Sequence, residues 1–115
     1  MTMSFEQNGI FMSRSANKFL DNATSHWEGV QVGFRDRREG YVVGHIVDPD
    51  GDMIISYGAY KGTVHEGEFK AGSGKYKGIK GKWTSSRVAY GKKPPWPNTY
   101  QRCRLFKGSY ELPPK

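Results

Sequence analysis

Glycine and proline recur at short intervals in this chain, and their spacing limits the folds it can adopt. From Ser25 onward, turn-forming residues separate runs of roughly eight to twelve residues, a spacing typical of barrels and sandwiches. The runs are 25–35, 40–48, 52–61, 63–71, 79–90 and 98–112. No interval is long and helically periodic enough for a crossover helix, so neighbouring strands should be antiparallel. The spacing predicts an all-β protein, a single antiparallel β-barrel of about six to eight strands.

The composition agrees with strands rather than helices. The chain has three leucines against seven valines and sixteen aromatic residues, and branched or aromatic side chains suit a pleated surface. A length of 115 residues allows one domain with a real core. We predict a loosely structured N-terminal arm over 1–24, able to add one strand, and a barrel domain over 25–115.

Alternation assigns the faces of two predicted strands, because side chains two residues apart point to the same side of a sheet. In 63–71 the row expected to face inward contains His65, Gly67 and Phe69. In 79–90 the inward row is Ile79, Gly81, Trp83 and Ser85. We therefore expect these two rows to share the interior.

Two other runs divide less cleanly. In 98–112 we place Cys103 and Leu105 inside, although Phe106 on the opposite row leaves the alternative open. In 52–61 both rows are apolar, with Tyr57 on one and Ile54 on the other. Because a strand that is apolar on both sides needs cover on both, we expect the arm or another subunit to pack against it. This predicts a homo-oligomer.

A glycine-rich segment carries a resemblance to a known family. The stretch KAGSGKYKGIKGKWT, from Lys70 to Thr84, resembles a motif of the allene oxide cyclase and dirigent-like barrels, including small bacterial relatives of unassigned function. The motif residues are Gly72, Gly74, Tyr76, Gly78 and Gly81. The upstream Asp50-Gly51-Asp52 and Tyr60-x-Gly62-Thr63 are similar to that family's hairpin. The resemblance implies a calycin-like barrel in which Tyr76 plugs one end.

The resemblance also implies an apolar lumen, which some relatives use to fold a reactive molecule into one product and others use only for binding. We predict that the lumen takes a small, largely apolar molecule. The candidate wall residues are Tyr57, His65, Phe69, Trp83, Cys103 and Leu105, with His65 as a polar handle. An enzymatic version would be a cofactor-independent cyclase or isomerase that holds one conformer of its substrate. The acidic, asparagine or arginine residues of plant members match no position here, so the catalytic residues are unknown.

Nucleic acid is the alternative partner. Residues 1–60 carry a net charge of −3 and residues 61–115 a net charge of +10. Such asymmetry predicts a basic face, and interleaved aromatic residues can stack bases. The aromatic candidates for that role are Tyr76, Trp83, Tyr90 and Trp96.

Metal sites and targeting segments receive no support from the sequence. The run Asp48-Pro49-Asp50-Gly51-Asp52 does not have the spacing of a calcium loop and predicts a tight turn. His26, His45 and His65 are spaced so that a meander can bring two of them onto alternate strands of one face, where an imidazole can be a metal ligand or a base. We expect no metal and no cofactor. With no signal peptide and no apolar run long enough for a membrane span, the expected location is the cytoplasm.

Overall fold

The computed structural model describes residues 2–61, 64–90, 95–97 and 102–114. It confirms an all-β, antiparallel fold, whose one described helix is a three-residue 3-10 turn at Gly74–Tyr76. The strands are β1 (Thr2–Ile10), β2 (Thr24–Gly33), β3 (Arg38–Val47), β4 (Met53–Lys61), β5 (Val64–Gly72), β6 (Lys80–Tyr90) and β7 (Arg102–Glu111).

The seven strands form one sheet in the order β1 to β7, and each strand pairs antiparallel with the next. Among the described residues, β1 pairs only with β2 and β7 only with β6, so the sheet is an open meander and not a closed barrel. The segment expected to be an arm contains β1, which makes nine register pairs with β2. Residues 91–94 and 98–101, which include the start of the last predicted run, lie outside the described residues.

Aromatic residues opposite glycines make the concave face of the sheet. Trp83 of β6 lies directly opposite Gly67 of β5, and Trp27 of β2 lies opposite Gly44 of β3. A Cβ atom on Gly67 would come within 2.2 Å of the Trp83 ring, so only glycine lets the indole lie across the neighbouring strand. Trp27 also contacts Trp83 with ring centroids 5.6 Å apart. Since β2 and β6 are four strands apart, this contact requires a strongly curled sheet.

The segment between β1 and β2 covers one end of this curl. Leu20 and Ala23 are buried in the core there. Phe19 stacks on Tyr110 of β7 at 3.9 Å, and Phe11 meets Phe106 of β7 edge-on at 5.2 Å. Residues from the first strand connection therefore pack against the last strand, although β1 and β7 do not pair over the residues that the structure describes.

The glycine-rich motif builds a second part of the same end. Gly74 and Gly78 have φ angles of +55° and +78°, which suit glycine and allow the chain to turn between β5 and β6. Tyr76 is buried, as expected for a plug, and its hydroxyl donates to Asp48 Oδ2 at 2.8 Å. Asp48 Oδ1 also accepts the backbone N–H groups of Asp50 and Asp52. The predicted turn is thus held by a buried carboxylate.

Candidate functional site

The concave face brings together three of the predicted site residues. His65 pairs with Ser85, Gly67 with Trp83 and Phe69 with Gly81, so these residues occupy one side of β5 and β6. This confirms the assignment made from alternation. Phe69 and Trp83 are 5% and 4% exposed, whereas His65 is half-buried nearer the opposite end of the sheet from Tyr76.

The inward placement of Tyr57, Cys103 and Leu105 is wrong. Tyr57 pairs with Val43 and Glu68 on the outer face and is 49% exposed. Cys103 is exposed, and Leu105 lies opposite Ser86 on the outer face.

The other row of β7 faces inward because its residues pack against Trp83. Phe106 stacks on Trp83 with centroids 4.8 Å apart. Gly108 lies opposite Trp83, and a Cβ there would come within 3.0 Å of both Cα and Cβ of that residue. The row that carries Phe106 and Gly108 therefore packs against β6, and its neighbours Cys103 and Leu105 turn outward.

We call the aromatic group Trp27, Phe69, Trp83 and Phe106 the floor of the concave face. A buried chain of hydrogen bonds holds Trp83 in this floor. Trp83 Nε1 donates to Ser56 Oγ at 2.6 Å, and Ser56 donates its own hydroxyl proton to the carbonyl oxygen of Glu68 at 2.8 Å. Ser56 is fully buried. Every polar atom in this chain is satisfied, so the indole is held in one orientation.

A second group of side chains on the concave face, which we call the rim, consists of Phe5, Tyr60, His65 and Arg104. Phe5 contacts Tyr60 with centroids 5.6 Å apart, and the imidazole of His65 meets Tyr60 edge-on at 3.9 Å. Arg104 of β7 donates from Nε to Ser85 Oγ at 2.6 Å and from Nη2 to the Ser85 carbonyl oxygen at 2.7 Å. The rim thus combines aromatic faces with an imidazole and a guanidinium held in a fixed direction.

Sequence reasoning missed several residues of this concave face. They are Phe5, Trp27, Tyr60, Arg104 and Phe106. The pairing of each aromatic with a glycine on the next strand would have identified three of them, namely Phe5 with Gly29, Trp27 with Gly44 and Tyr60 with Gly40. That signal depends on the strand register, which a single sequence leaves open.

The outer face of β2–β4 exposes apolar side chains. Tyr41 is 73% exposed and lies directly opposite Val30, while Val43 lies opposite Tyr57. We call this group the outer apolar patch, and it consists of Val30, Val32, Tyr41, Val43 and Tyr57. The same outer face also has a shallow depression of about 790 Å³, whose lining includes Asn8, His26 and His45.

Two of the aromatic residues proposed for base stacking are unavailable at the surface. Tyr76 is 6% exposed and Trp83 is 4% exposed, because both pack in the core. Lys75, one of the basic residues near them, makes ion pairs with Asp48 at 2.6 Å and Asp50 at 2.8 Å. Trp96 is exposed, and the side chain of Tyr90 lies outside the described residues.

Comparison with family models, with curated proteins and with solved structures finds no match to this chain. In the described part of the chain, no helix has the length and apolar character needed to cross a membrane.

Proposed function

We propose that this protein is a non-catalytic binding module that takes a small, largely apolar, flat molecule on its concave face. The observation that carries the proposal is the half-buried state of Phe5, Trp27 and Phe106 on that face. Small-molecule sites are mostly concave and aromatic, with a few polar groups that orient the ligand. β1 and β7 do not pair among the described residues, and the proposed route of entry lies between them.

His65 and Arg104 supply the polar groups in this proposal. The two hydrogen bonds from Arg104 to Ser85 orient the guanidinium before any ligand arrives, which lowers the entropy cost of binding. A planar guanidinium recognises carboxylates and also stacks on aromatic rings. The ligand class we favour is therefore an aromatic or polyene molecule with a polar or acidic end.

The family resemblance would add a conformational-templating cyclase or isomerase, which we keep as a second proposal. A templating reaction needs a shaped aromatic surface and few titrating groups, so it uses the same face as simple binding. Conversion of a reactive polyene by the purified protein would favour the enzyme over the binding module.

The test uses N-phenyl-1-naphthylamine, an uncharged dye whose fluorescence rises in apolar surroundings. We expect saturable binding that changes little between about 0.05 and 0.5 M salt, because no phosphate counterions are released. The Phe5→Ala variant should weaken dye binding at least fivefold, since Phe5 lies on the concave rim. The matched control is Tyr57→Ala, which removes an exposed aromatic from the outer face and should leave binding unchanged.

Two results would overturn this proposal. Dye binding lost in Tyr57→Ala but kept in Phe5→Ala would move the site to the outer apolar patch. Tight binding of a single-stranded oligonucleotide that falls steeply with salt and disappears when Lys80 and Lys82 are changed to Glu would favour the nucleic-acid function.

We also propose that a second copy of the chain covers the outer apolar patch. Monomeric proteins rarely expose a contiguous apolar surface of more than a few hundred Å² to water. A two-fold axis over β3, the middle strand of the patch, places the patch of one copy against the same patch of the other. Sedimentation velocity at roughly 50 µM should show a dimer that Tyr41→Glu dissociates, and a wild-type monomer would refute the pairing.

A further inference from the structure

A compact group of potential metal ligands lies on the outer face of β1 and β2, away from the proposed ligand site. Glu6 and Glu28 are directly opposite each other in the register, and His26 is opposite Asn8 on the same face. The nearest ligand atoms of Glu6, His26 and Glu28 all lie within 4.8 Å of one another. From the structure we infer that these three side chains form a binding site for a divalent transition-metal ion of the Zn²⁺ or Co²⁺ class.

The imidazole of His26 lies between two side-chain oxygen atoms. Its Nδ1 lies 2.7 Å from Asn8 Oδ1, and its Nε2 lies 3.1 Å from Glu28 Oε1. Both partners are oxygen acceptors, so a neutral imidazole can donate to only one of them. In the tautomer that donates from Nδ1 to Asn8, the Nε2 lone pair and a Glu28 oxygen face each other, as two ligands of one metal ion do.

The placement of the two carboxylates also favours a bound cation. Like charges directly opposite each other on neighbouring strands destabilise a sheet. Glu6 and Glu28 occupy such a pair, and their nearest oxygen atoms lie within 4.8 Å of each other and of a His26 ring nitrogen. A divalent ion bound between His26 and Glu28 would therefore also offset the repulsion from Glu6.

The geometry suits a small transition metal. With ligand bonds of about 2.0–2.2 Å, two ligands of a tetrahedral ion are separated by roughly 3.4 Å. The Nε2 to Oε1 distance of 3.1 Å is already near this value, and rotation of the exposed Glu6 side chain closes the third contact. The imidazole disfavours Ca²⁺ and Mg²⁺, which prefer oxygen ligands alone.

Asn8 and His45 complete the surroundings. An acceptor on the second ring nitrogen commonly orients a metal-bound histidine, and Asn8 Oδ1 has this position. His45 of β3 is directly opposite His26 in the register, on the strand beside it. The histidine spacing in the sequence thus brings two imidazoles to one face, on adjacent rather than alternate strands. The fourth ligand position is left to water, because the group of ligand atoms within 4.8 Å of one another consists of Glu6, His26 and Glu28.

The experiment is a titration of the full chain with Co²⁺, whose visible absorption reports its ligands, followed by displacement with Zn²⁺. We expect one ion per chain, and at least a tenfold loss of affinity in His26→Gln and in Glu28→Gln. Asn8→Ala should also weaken binding at least tenfold, the usual effect of losing a partner that orients a ligand. Glu66→Gln is the matched control, because Glu66 is an exposed carboxylate on the same face of β5.

Cys103 is an exposed thiol and therefore needs its own control. The Cys103→Ser variant should bind Co²⁺ with the same affinity as the wild type. Neither protein should show the near-ultraviolet band of a thiolate bound to cobalt. Far-UV circular dichroism confirms that each variant is folded. The proposal is overturned if the wild type takes up no Co²⁺ at millimolar concentration, if Cys103→Ser abolishes binding, or if both His26→Gln and Glu28→Gln bind as tightly as the wild type. Dye binding to the concave face is independent of all these outcomes.

Discussion

The indole N–H of Trp83 donates to the hydroxyl oxygen of Ser56 at 2.6 Å, inside a core where both side chains are almost wholly shielded from water. Ser56 in turn donates to the Glu68 carbonyl, so one small residue on β4 connects β6 to β5. The contact fixes the position of the Trp83 ring, which forms part of the proposed ligand site.

Removing that hydroxyl should be costly. The Ser56→Ala variant leaves a buried indole N–H and a carbonyl oxygen without this partner, and we expect a loss of about 1–3 kcal/mol in the free energy of unfolding. Denaturant titration followed by tryptophan fluorescence measures the change. Ser109→Ala removes an exposed hydroxyl and should lie within about 0.5 kcal/mol of the wild type. Equal stability of the two variants would show that the buried chain contributes nothing.

The glycines beneath the tryptophans should be intolerant of a side chain. In Gly67→Ala the new methyl group would lie 2.2 Å from the Trp83 ring and 2.4 Å from the Tyr57 carbonyl oxygen, so the ring or the strand must move. We expect destabilisation of about 1–3 kcal/mol, the usual effect of overpacking a core. Gly9→Ala is the control, since the nearest atom to its Cβ is Ser25 Oγ at an ordinary 3.6 Å. A Gly67→Ala protein as stable as Gly9→Ala would contradict the described packing.

Asp48 should make stability sensitive to acid. Burial alone would raise the pKa of Asp48, but hydrogen bonds from Lys75, Tyr76 and the backbone of Asp52 and Asp50 outweigh burial and lower it. A carboxyl group with a lowered folded-state pKa stabilises the protein above its ordinary pKa, near 4, and this contribution is lost as the pH falls through the folded value. Asp48→Asn should therefore flatten the loss of stability below about pH 4 and cost about 1–3 kcal/mol at neutral pH.

Chemical denaturation across the acid range measures this effect. Asp50→Asn is the matched control, because Asp50 is a turn carboxylate that is 75% exposed. Its acid profile should follow that of the wild type. If the profile of Asp48→Asn also did so, the buried carboxylate would not be the titrating group.

Tyr76 should produce the corresponding effect in alkali. Burial, together with the hydrogen bond to Asp48, raises the pKa of Tyr76 to about 12. Because this folded value lies above the ordinary value near 10, the contribution is complete below about pH 10 and is lost as the pH rises toward 12. Tyr76→Phe should lose about 1–3 kcal/mol at neutral pH and show a shallower alkaline decline. Tyr41→Phe, at an exposed position, should match the wild type in both respects. A Tyr76→Phe variant that does the same would show that the hydrogen bond to Asp48 contributes nothing to stability.

Much of the fold was accessible from local patterns. The predicted runs 25–35, 40–48, 52–61 and 63–71 agree with β2 to β5 within a few residues, because turn chemistry at Asp48–Asp52 and Gly72–Gly74 ends strands wherever they occur. The common face of His65, Phe69 and Trp83 followed from the two-residue period of a strand, which needs no knowledge of its neighbours.

What the sequence by itself determined was therefore the class of fold, the strand boundaries and the rows within each strand. Only the tertiary structure decided which row of β7 faces inward, since the packing of Phe106 and Gly108 against Trp83 is a contact between strands. It also decided that the sheet is an open curl and that Glu6, His26 and Glu28 meet on its outer face. Each of these features depends on the register and the curvature of the sheet. Both arise from pairing between segments that are distant in sequence, so no periodic pattern within one segment reveals them.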